Sequence, residues 1–406
     1  MKLRFALVLL SSFLCGAASG AEDKTPPEAQ AEASLEFAID VFQKVASTAE
    51  ADENVVFSPF GFYQTLEALS LATAGETKAE IDAAMKQTGV GEDWTARMAS
   101  VIEKLNADPE VSVAGGVWVN KGFKLKKSYI DSLAHFTDQE ALELDFSDPE
   151  SPAVINDWFE QKTNGNIKDI IDSFGPHEIF VIGGAVHFLG EWERSFDPNA
   201  TYEGEFEALD GERYSTPMMA LNEHFAYRHS DGVHYLELDY RDRRYSMAIV
   251  FPDKAQGYLD LEKSLNAEKL TAWKNDARMT DVMLHMPKFA FEQKVDLIPL
   301  MREMGVETAF SIGADFSRMT STTMVFISRA FQQATLKVNE SGTEAAAGTA
   351  AVGAMGMPSY IFFPLNRPFI YFIRENSTGE ILFIGRVVKP KVDPDDPDMK
   401  AQIVEE

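Results

Sequence analysis

Apolar positions recur at helical spacing from Leu35 to Val45 and again from Phe60 to Ala72, the second run preceded by Ser58-Pro59, an N-cap with proline in the first turn. The helical trend continues over Lys78 to Met85 and Trp94 to Leu105. Then the period changes. Val111 to Val119 (VSVAGGVWV), Ile179 to Phe188, Tyr245 to Phe251, Val282 to Phe291 and Met324 to Val338 predict strands. The stretch 369–388 (FIYFIRENSTGEILFIGRVV) predicts a hairpin turning at Asn-Ser-Thr-Gly. Helices first and strands mostly later argue for an α+β chain, not βαβ units around a parallel sheet.

The ends of the chain read differently from its body. Lys2 and Arg4 precede an apolar run, Phe5 to Leu14, broken only by Ser11 and Ser12, and Cys15 to Gly20 is rich in small residues. That is the pattern of a cleaved secretory signal over residues 1–20, the run being too short to span a bilayer. Residues 21–34 (AEDKTPPEAQAEAS) read as a flexible leader and 391–406 (KVDPDDPDMKAQIVEE) as a solvated acidic tail. No break in composition interrupts residues 35–390, which are read as one domain.

Composition narrows the function. Of 406 residues, 45% are hydrophobic and 11% aromatic, enough for a large core. Lys and Arg number 37 against 64 Asp and Glu, a net charge of −27 that repels phosphate backbones and anionic lipid. Neither nucleic acid nor a membrane surface is an expected partner. The single cysteine, Cys15, leaves with the signal and permits no disulfide and no cysteine metal cluster. The sequence has no Gly-x-Ser-x-Gly elbow, no Gly-x-x-x-x-Gly-Lys phosphate loop and no His-Glu-x-x-His helix, so an enzyme is not expected, nor a cofactor. His224, His229 and His234 recur every five residues but would share a metal only if the chain turned between them. Solvated loop positions are the simpler reading, and no metal is expected.

One segment stands out. Residues 340–357 read ESGTEAAAGTAAVGAMGM, a small-residue, linker-like stretch lodged between a strand and the C-terminal hairpin. The remnant after it is too short for a domain of its own, so a long exposed loop interrupts one compact unit, a position usually tied to function. In an extended chain one face would carry Thr343, Ala345, Ala347, Thr349, Ala351 and Gly353, all small and uncharged. The other would carry Glu344, Ala346, Gly348, Ala350 and Val352. No proline falls within 340–357, so every N–H is free to pair, and the segment can enter the middle of a sheet.

A series of motifs runs in order along the chain: Asn54 to Pro59 (NVVFSP), Gly75-Glu76-Thr77 to Ile81, and Ile155 to Ile171 (INDWFEQKTNGNIKDII). It continues through Phe188 to Phe196 (FLGEWERSF), Pro217-Met218-Met219, Met286-Pro287-Lys288-Phe289, Gly305 to Phe316, and Leu382-Phe383-Ile384-Gly385-Arg386-Val387 to Pro390. On these motifs the chain resembles the serpin family from about residue 35 to 390. The resemblance implies helices packed around three β-sheets, with an exposed reactive-centre loop at about 340–360 able to insert into the large central sheet. Its hinge would be Glu340, Gly342, Thr343, Glu344, Ala345, Ala346, Ala347 and Gly348. A target serine protease would acylate on the loop and be trapped, in a covalent complex, as the cut loop inserts.

The same resemblance places Lys288 and Glu340 as a pair at the top of the opening sheet, with Trp192 nearby. It also marks departures. Gly184 and Gln332 stand where the family usually has an Asn and a His bonded across the sheet, and Gly61 replaces a Ser. Counting along the loop brings the scissile bond to Met355, Gly356 or Met357, with Pro358 disfavouring the last. No Arg or Lys lies between 341 and 360, which suits an elastase-like or subtilisin-like target better than a trypsin-like one. Mixed charges over Lys78 to Lys104 give no reason to expect a heparin activator, and the protein is expected to be a secreted monomer. Sequons occur at Asn199, Asn339 and Asn376. The rival reading is a non-inhibitory serpin-like binding or chaperone protein.

Overall fold

The computed structural model describes residues 26–85, 94–343 and 360–392. In chain order its elements are α1 (Pro26–Thr48), β1 (Val55–Phe57), α2 (Pro59–Ala72), α3 (Gly75–Ala84), α4 (Trp94–Asn106), β2 (Val111–Asn120), α5 (Lys127–Thr137) and β3 (Glu140–Leu144). There follow α6 (Ser151–Lys162), β4 (Phe180–Phe188), β5 (Tyr202–Glu207), β6 (Arg213–Ser230), β7 (Val233–Asp239), β8 (Tyr245–Pro252), α7 (Tyr258–Ser264) and α8 (Ala267–Asp276). The last are β9 (Arg278–Pro287), β10 (Phe289–Asp296), α9 (Leu297–Glu303), β11 (Arg329–Val338), β12 (Ile361–Pro364), β13 (Phe369–Glu375) and β14 (Ile381–Val387).

Five strands form one sheet in the order β10-β11-β4-β2-β3. The other nine are hydrogen-bonded in sequence as β1-β14-β13-β8-β7-β6-β9-β12, with β5 on β6. The 18-residue β6 serves two neighbourhoods. Its residues 213–218 pair with β5, 218–227 with β9 and 226–230 with β7. By hydrogen bonding the nine strands form one continuous set joined through β6, and with the five-stranded sheet and the helices packed on them they give the α+β architecture expected from the sequence.

Helix α2 begins as its sequence dictates: Ser58 Oγ accepts the Gly61 N–H at 3.0 Å and Pro59 occupies the first turn. All its residues except Leu71 are buried, so it forms the centre of the main core against β4 and β14. The opposite face of the five-stranded sheet is covered by α6, where Trp118, Ile155, Phe159 and Phe331 form a second core. Gly183 is required there, because a Cβ would lie 2.2 Å from the Phe331 ring.

Several sequence expectations are corrected. Residues 26–34, read as part of a flexible leader, are the first turns of α1. Proline is tolerated at a helix start, and the alanines that follow are strong helix formers. Ser34 is buried and donates to Glu380 Oε1 at 3.0 Å. Val282 to Phe291 is not one strand. The chain breaks at Lys288, whose N–H goes to Pro217 O at 2.9 Å, before Phe289 begins pairing with Val338 in the other sheet. Met324 has φ +62°, and the strand beyond it starts only at Arg329. His224 and His229 lie on β6 and His234 on β7, not on loops.

Candidate functional site

Strands β11 and β4 run parallel, paired from Arg329↔Val181 to Thr335↔His187. Their outer neighbours, β10 and β2, are antiparallel to them. A strand placed between β11 and β4 would be antiparallel to both, the arrangement with the straighter hydrogen bonds. The segment that leaves β11 by a tight turn already has that direction.

At the end of this seam the turn has begun to do so. Asn339 N–H donates to Gly342 O at 2.9 Å, and Asn339 Oδ1 accepts the N–H groups of Ser341 and Gly342 at 3.0 and 3.2 Å. Antiparallel bridges join Val338 to Thr343 and Glu191 to Gly342. Thr343 N–H donates to Gly190 O at 2.6 Å, and its hydroxyl is 2.8 Å from Tyr240 Oη. Burial raises the Tyr240 phenol well above its ordinary pKa, so it stays a neutral hydroxyl. Gly342 must be glycine: a Cβ there would lie 2.1 Å from Gly190 O, at φ +154°. Thr343, first in the row of small residues expected to face inward, is fully buried.

The turn is braced by charge and by aromatic packing. Lys288 Nζ lies 2.7 Å from Glu340 Oε1, with side-chain exposures of 3% and 8%. Thr201 Oγ1 donates to the same oxygen at 2.5 Å. Trp192 stacks on Tyr240, centroids 4.4 Å apart, and its indole N–H donates to Asn339 O at 3.0 Å. Backbone N–H groups of Trp192 and Phe196 donate to Ser341 O and Glu340 O, each at 2.9 Å. Such a buried pair differs in kind from an exposed one, because removing either partner leaves the other charge in the interior without its counter-charge.

Halfway down the seam Gln332 stands directly opposite Gly184. It does not reach across. Gln332 Oε1 accepts the Ser58 N–H at 3.0 Å and Nε2 donates to Ser58 O at 2.9 Å, tying β11 to the start of α2. Gly61 makes this possible, since a Cβ there would lie 2.9 Å from Gln332 Nε2 and 2.6 Å from Val186 Cγ2. The two glycines and the glutamine form one substitution set. At position 184 the β4–β11 junction is held by backbone alone.

Of the residues singled out from sequence, the structure brings together Glu340, Gly342, Thr343, Lys288 and Trp192 at the end of the seam, and Gly184 with Gln332 lower down. Glu344, Ala345, Ala346, Ala347 and Gly348, and the scissile candidates Met355, Gly356 and Met357, lie outside the described residues. Sequence reasoning missed Tyr240 and Thr201, which carry no motif, and read Ser58 only as the cap of α2, not as the partner of Gln332. Asn339 was noticed only as a sequon, yet it is 3% exposed and its amide oxygen is committed to the turn.

Residues 32–390 match the family model described as Serpin (serine protease inhibitor). Plasminogen activator inhibitor 1 of Bos taurus is 32% identical over 386 residues, 91% of this chain and 95% of that protein. Among solved structures, the thermophilic serpin tengpin in its native state superposes with a TM-score of 0.82 at 25% identity, covering 91% of this chain and 96% of that one. Human thyroxine-binding globulin, solved with its hormone, gives 0.83 at 25% identity, covering 91% and 100%. The family is one of protease inhibitors and not of enzymes. With its matched model, its relatives and its sheet architecture in agreement, this chain belongs to the serpins.

Proposed function

We propose that the protein is a secreted suicide-substrate inhibitor of serine proteases, acting as a monomer without a polyanion activator. The observation that carries this reading is the parallel β11–β4 seam with Gly342 and Thr343 already seated at its end. A protease accepts the loop as substrate and is acylated by it. The freed hinge then continues from Thr343 into the seam, gaining a ladder on each side, and carries the protease with it. Each backbone pair closed on that path replaces water as the partner of an N–H and a C=O, and a typical bond contributes about 0.5–1.5 kcal/mol net.

The loop sequence sets the target class. With no Arg or Lys from 341 to 360, an acidic S1 pocket gains nothing, whereas Met355 or Gly356 fits a shallow apolar pocket of elastase-like or subtilisin-like form. The second reading, a non-inhibitory carrier, draws on the likeness to a thyroxine-binding protein. One experiment separates them: incubation with elastase-like, subtilisin-like and trypsin-like enzymes, a denaturing gel, and mass spectrometry of the released peptide. A 1:1 SDS-resistant band with either of the first two supports inhibition. Clean loop cleavage with no band from any enzyme supports the carrier.

A further inference from the structure

Away from the seam, the β6–β7 hairpin turns on Asp231-Gly232, both with positive φ (+56° and +75°), the two-residue turn that suits a tight hairpin. The turn sets Ser230 against Val233 and His229 directly opposite His234. Their rings stack with centroids 4.0 Å apart. Both Nε2 atoms point to one carboxylate oxygen, Asp253 Oδ1, at 2.9 Å from His229 and 2.8 Å from His234. Asp253 follows β8 and is pinned by its own N–H to Gly232 O at 2.9 Å. Three neighbouring strands thus deliver two imidazoles and a carboxylate to one point, with ligand atoms all within 4.8 Å of one another.

We propose that His229, His234 and Asp253 bind a divalent transition metal, Zn²⁺ being the best match to a two-nitrogen, one-oxygen set. Zinc bonds of about 2.0–2.1 Å in a tetrahedron place ligand atoms roughly 3.3 Å apart, so the two nitrogen–oxygen distances open by about half an ångström and the rings, now 7° from parallel, turn to aim both nitrogens at the metal. Both imidazoles bind as neutral rings through Nε2. His234 then carries its proton on Nδ1, where Tyr227 Oη is 2.9 Å away to accept it, the outer contact that fixes a ligand's tautomer. The fourth position is left to water. Access is open: His229 and Asp253 are each 43% exposed, and Asp253 borders a surface groove of about 750 Å³.

The site also has a mechanical neighbour. The rings of His234 and Tyr227 pack on Phe363, at 5.2 and 5.8 Å, and Phe363 belongs to β12, the strand onto which the loop's far end is anchored. A metal that ties β6, β7 and the end of β8 together stiffens the surface against which β12 rests. The inference does not depend on the protein being an inhibitor.

The test uses the full chain, free of any affinity tag and stripped with chelator, titrated calorimetrically with ZnCl₂ and, separately, with CoCl₂ followed by visible absorption. The expected result is one equivalent bound and a tetrahedral Co²⁺ spectrum. His229→Ala and Asp253→Asn, both at half-exposed positions, should retain the thermal midpoint of the metal-free protein and bind at least a hundredfold more weakly. Tyr227→Phe should weaken binding ten- to a hundredfold. Hydrogen exchange at the amides of Ile361, Phe362 and Phe363 should slow with zinc in the parent chain and not in His229→Ala. Absence of saturable binding, or unchanged affinity in both His229→Ala and Asp253→Asn, overturns the site. Exchange at β12 indifferent to zinc overturns the coupling.

Discussion

Lys288→Met keeps the aliphatic stem and removes the ammonium from the brace beneath the loop. Glu340 then holds its carboxylate at 8% exposure with the Thr201 hydroxyl still donating to it. Breaking a buried pair from one side costs about 3–5 kcal/mol, and the surviving charge-assisted bond argues for the lower end, about 3. Glu340→Gln takes the charge partner from the ammonium, at 3% exposure, and should cost an amount of the same order. The double variant removes both charges and keeps an acceptor for Thr201, leaving only the buried amide N–H groups of the glutamine to be satisfied, so it should cost about 1–3 kcal/mol, well short of the sum of the single losses. The cycle therefore yields a coupling of about 3–5 kcal/mol. Urea unfolding followed by tryptophan fluorescence reads it directly, because Trp192 sits on the same turn. Single variants within about 1 kcal/mol of the parent, the range of an exposed pair, would refute the reasoning.

Thr343→Arg places a cation at a fully buried position, and Ala347→Glu places an anion on the same expected face. Each should leave loop cleavage intact and abolish the SDS-resistant complex on a denaturing gel; full retention of the complex in both would sink the insertion mechanism. Gln332→Leu strands only the Ser58 N–H, because Ser58 O still accepts from Phe62 N–H at 3.1 Å, so the unfolding free energy should drop by about 1–3 kcal/mol. Gly184→Ala meets Ala114 O and Thr65 Oγ1 at 3.7 Å, ordinary contact, and should raise the thermal midpoint while narrowing the unfolded ensemble, worth about 0.4–1 kcal/mol. Burial lowers the His285 pKa. The unfolded chain therefore binds a proton near pH 6.5 that the native state declines, and stability falls as pH drops through the window from about 6.5 to the lowered value. The drop in melting temperature across that window should shrink in His285→Gln, the rest coming in part from His234, whose pKa burial lowers to about 4.

What the sequence made legible follows its local signals. Ser58-Pro59 announced α2 to the residue, and the Asn-Ser-Thr-Gly turn announced the β13–β14 hairpin. The sequence His-Ser-Asp-Gly-Val-His also announced a hairpin with its histidines face to face, had the Asp-Gly turn been weighed above the five-residue spacing. What stayed hidden depends on distant partners. Nothing local says that β11 should lie parallel to β4, with 140 residues between them, and the break at Lys288 exists because two different sheets claim the residues on either side. Lys288 and Glu340 were paired through resemblance, but that their contact is buried, with Thr201 and Trp192 around it, emerges only from packing. Gly61 was noticed as a replaced serine; its purpose, space for Gln332, required the Cβ geometry.

The seating of Thr343 bears on speed. Zippering a strand into a sheet is slow to begin, since the first contact must close a loop before any ladder repays it, and fast to continue. Here the first tooth is already engaged: the turn is closed at Asn339–Gly342, and Thr343 holds Gly190 O on one flank and bridges Val338 on the other. On the proposed mechanism each later residue would add to an existing nucleus. In a race between propagation of the strand and hydrolysis of the acyl-enzyme, the protein would start with its nucleation step behind it, so what evolution or an engineer could tune most readily is the rate at which the remaining teeth follow.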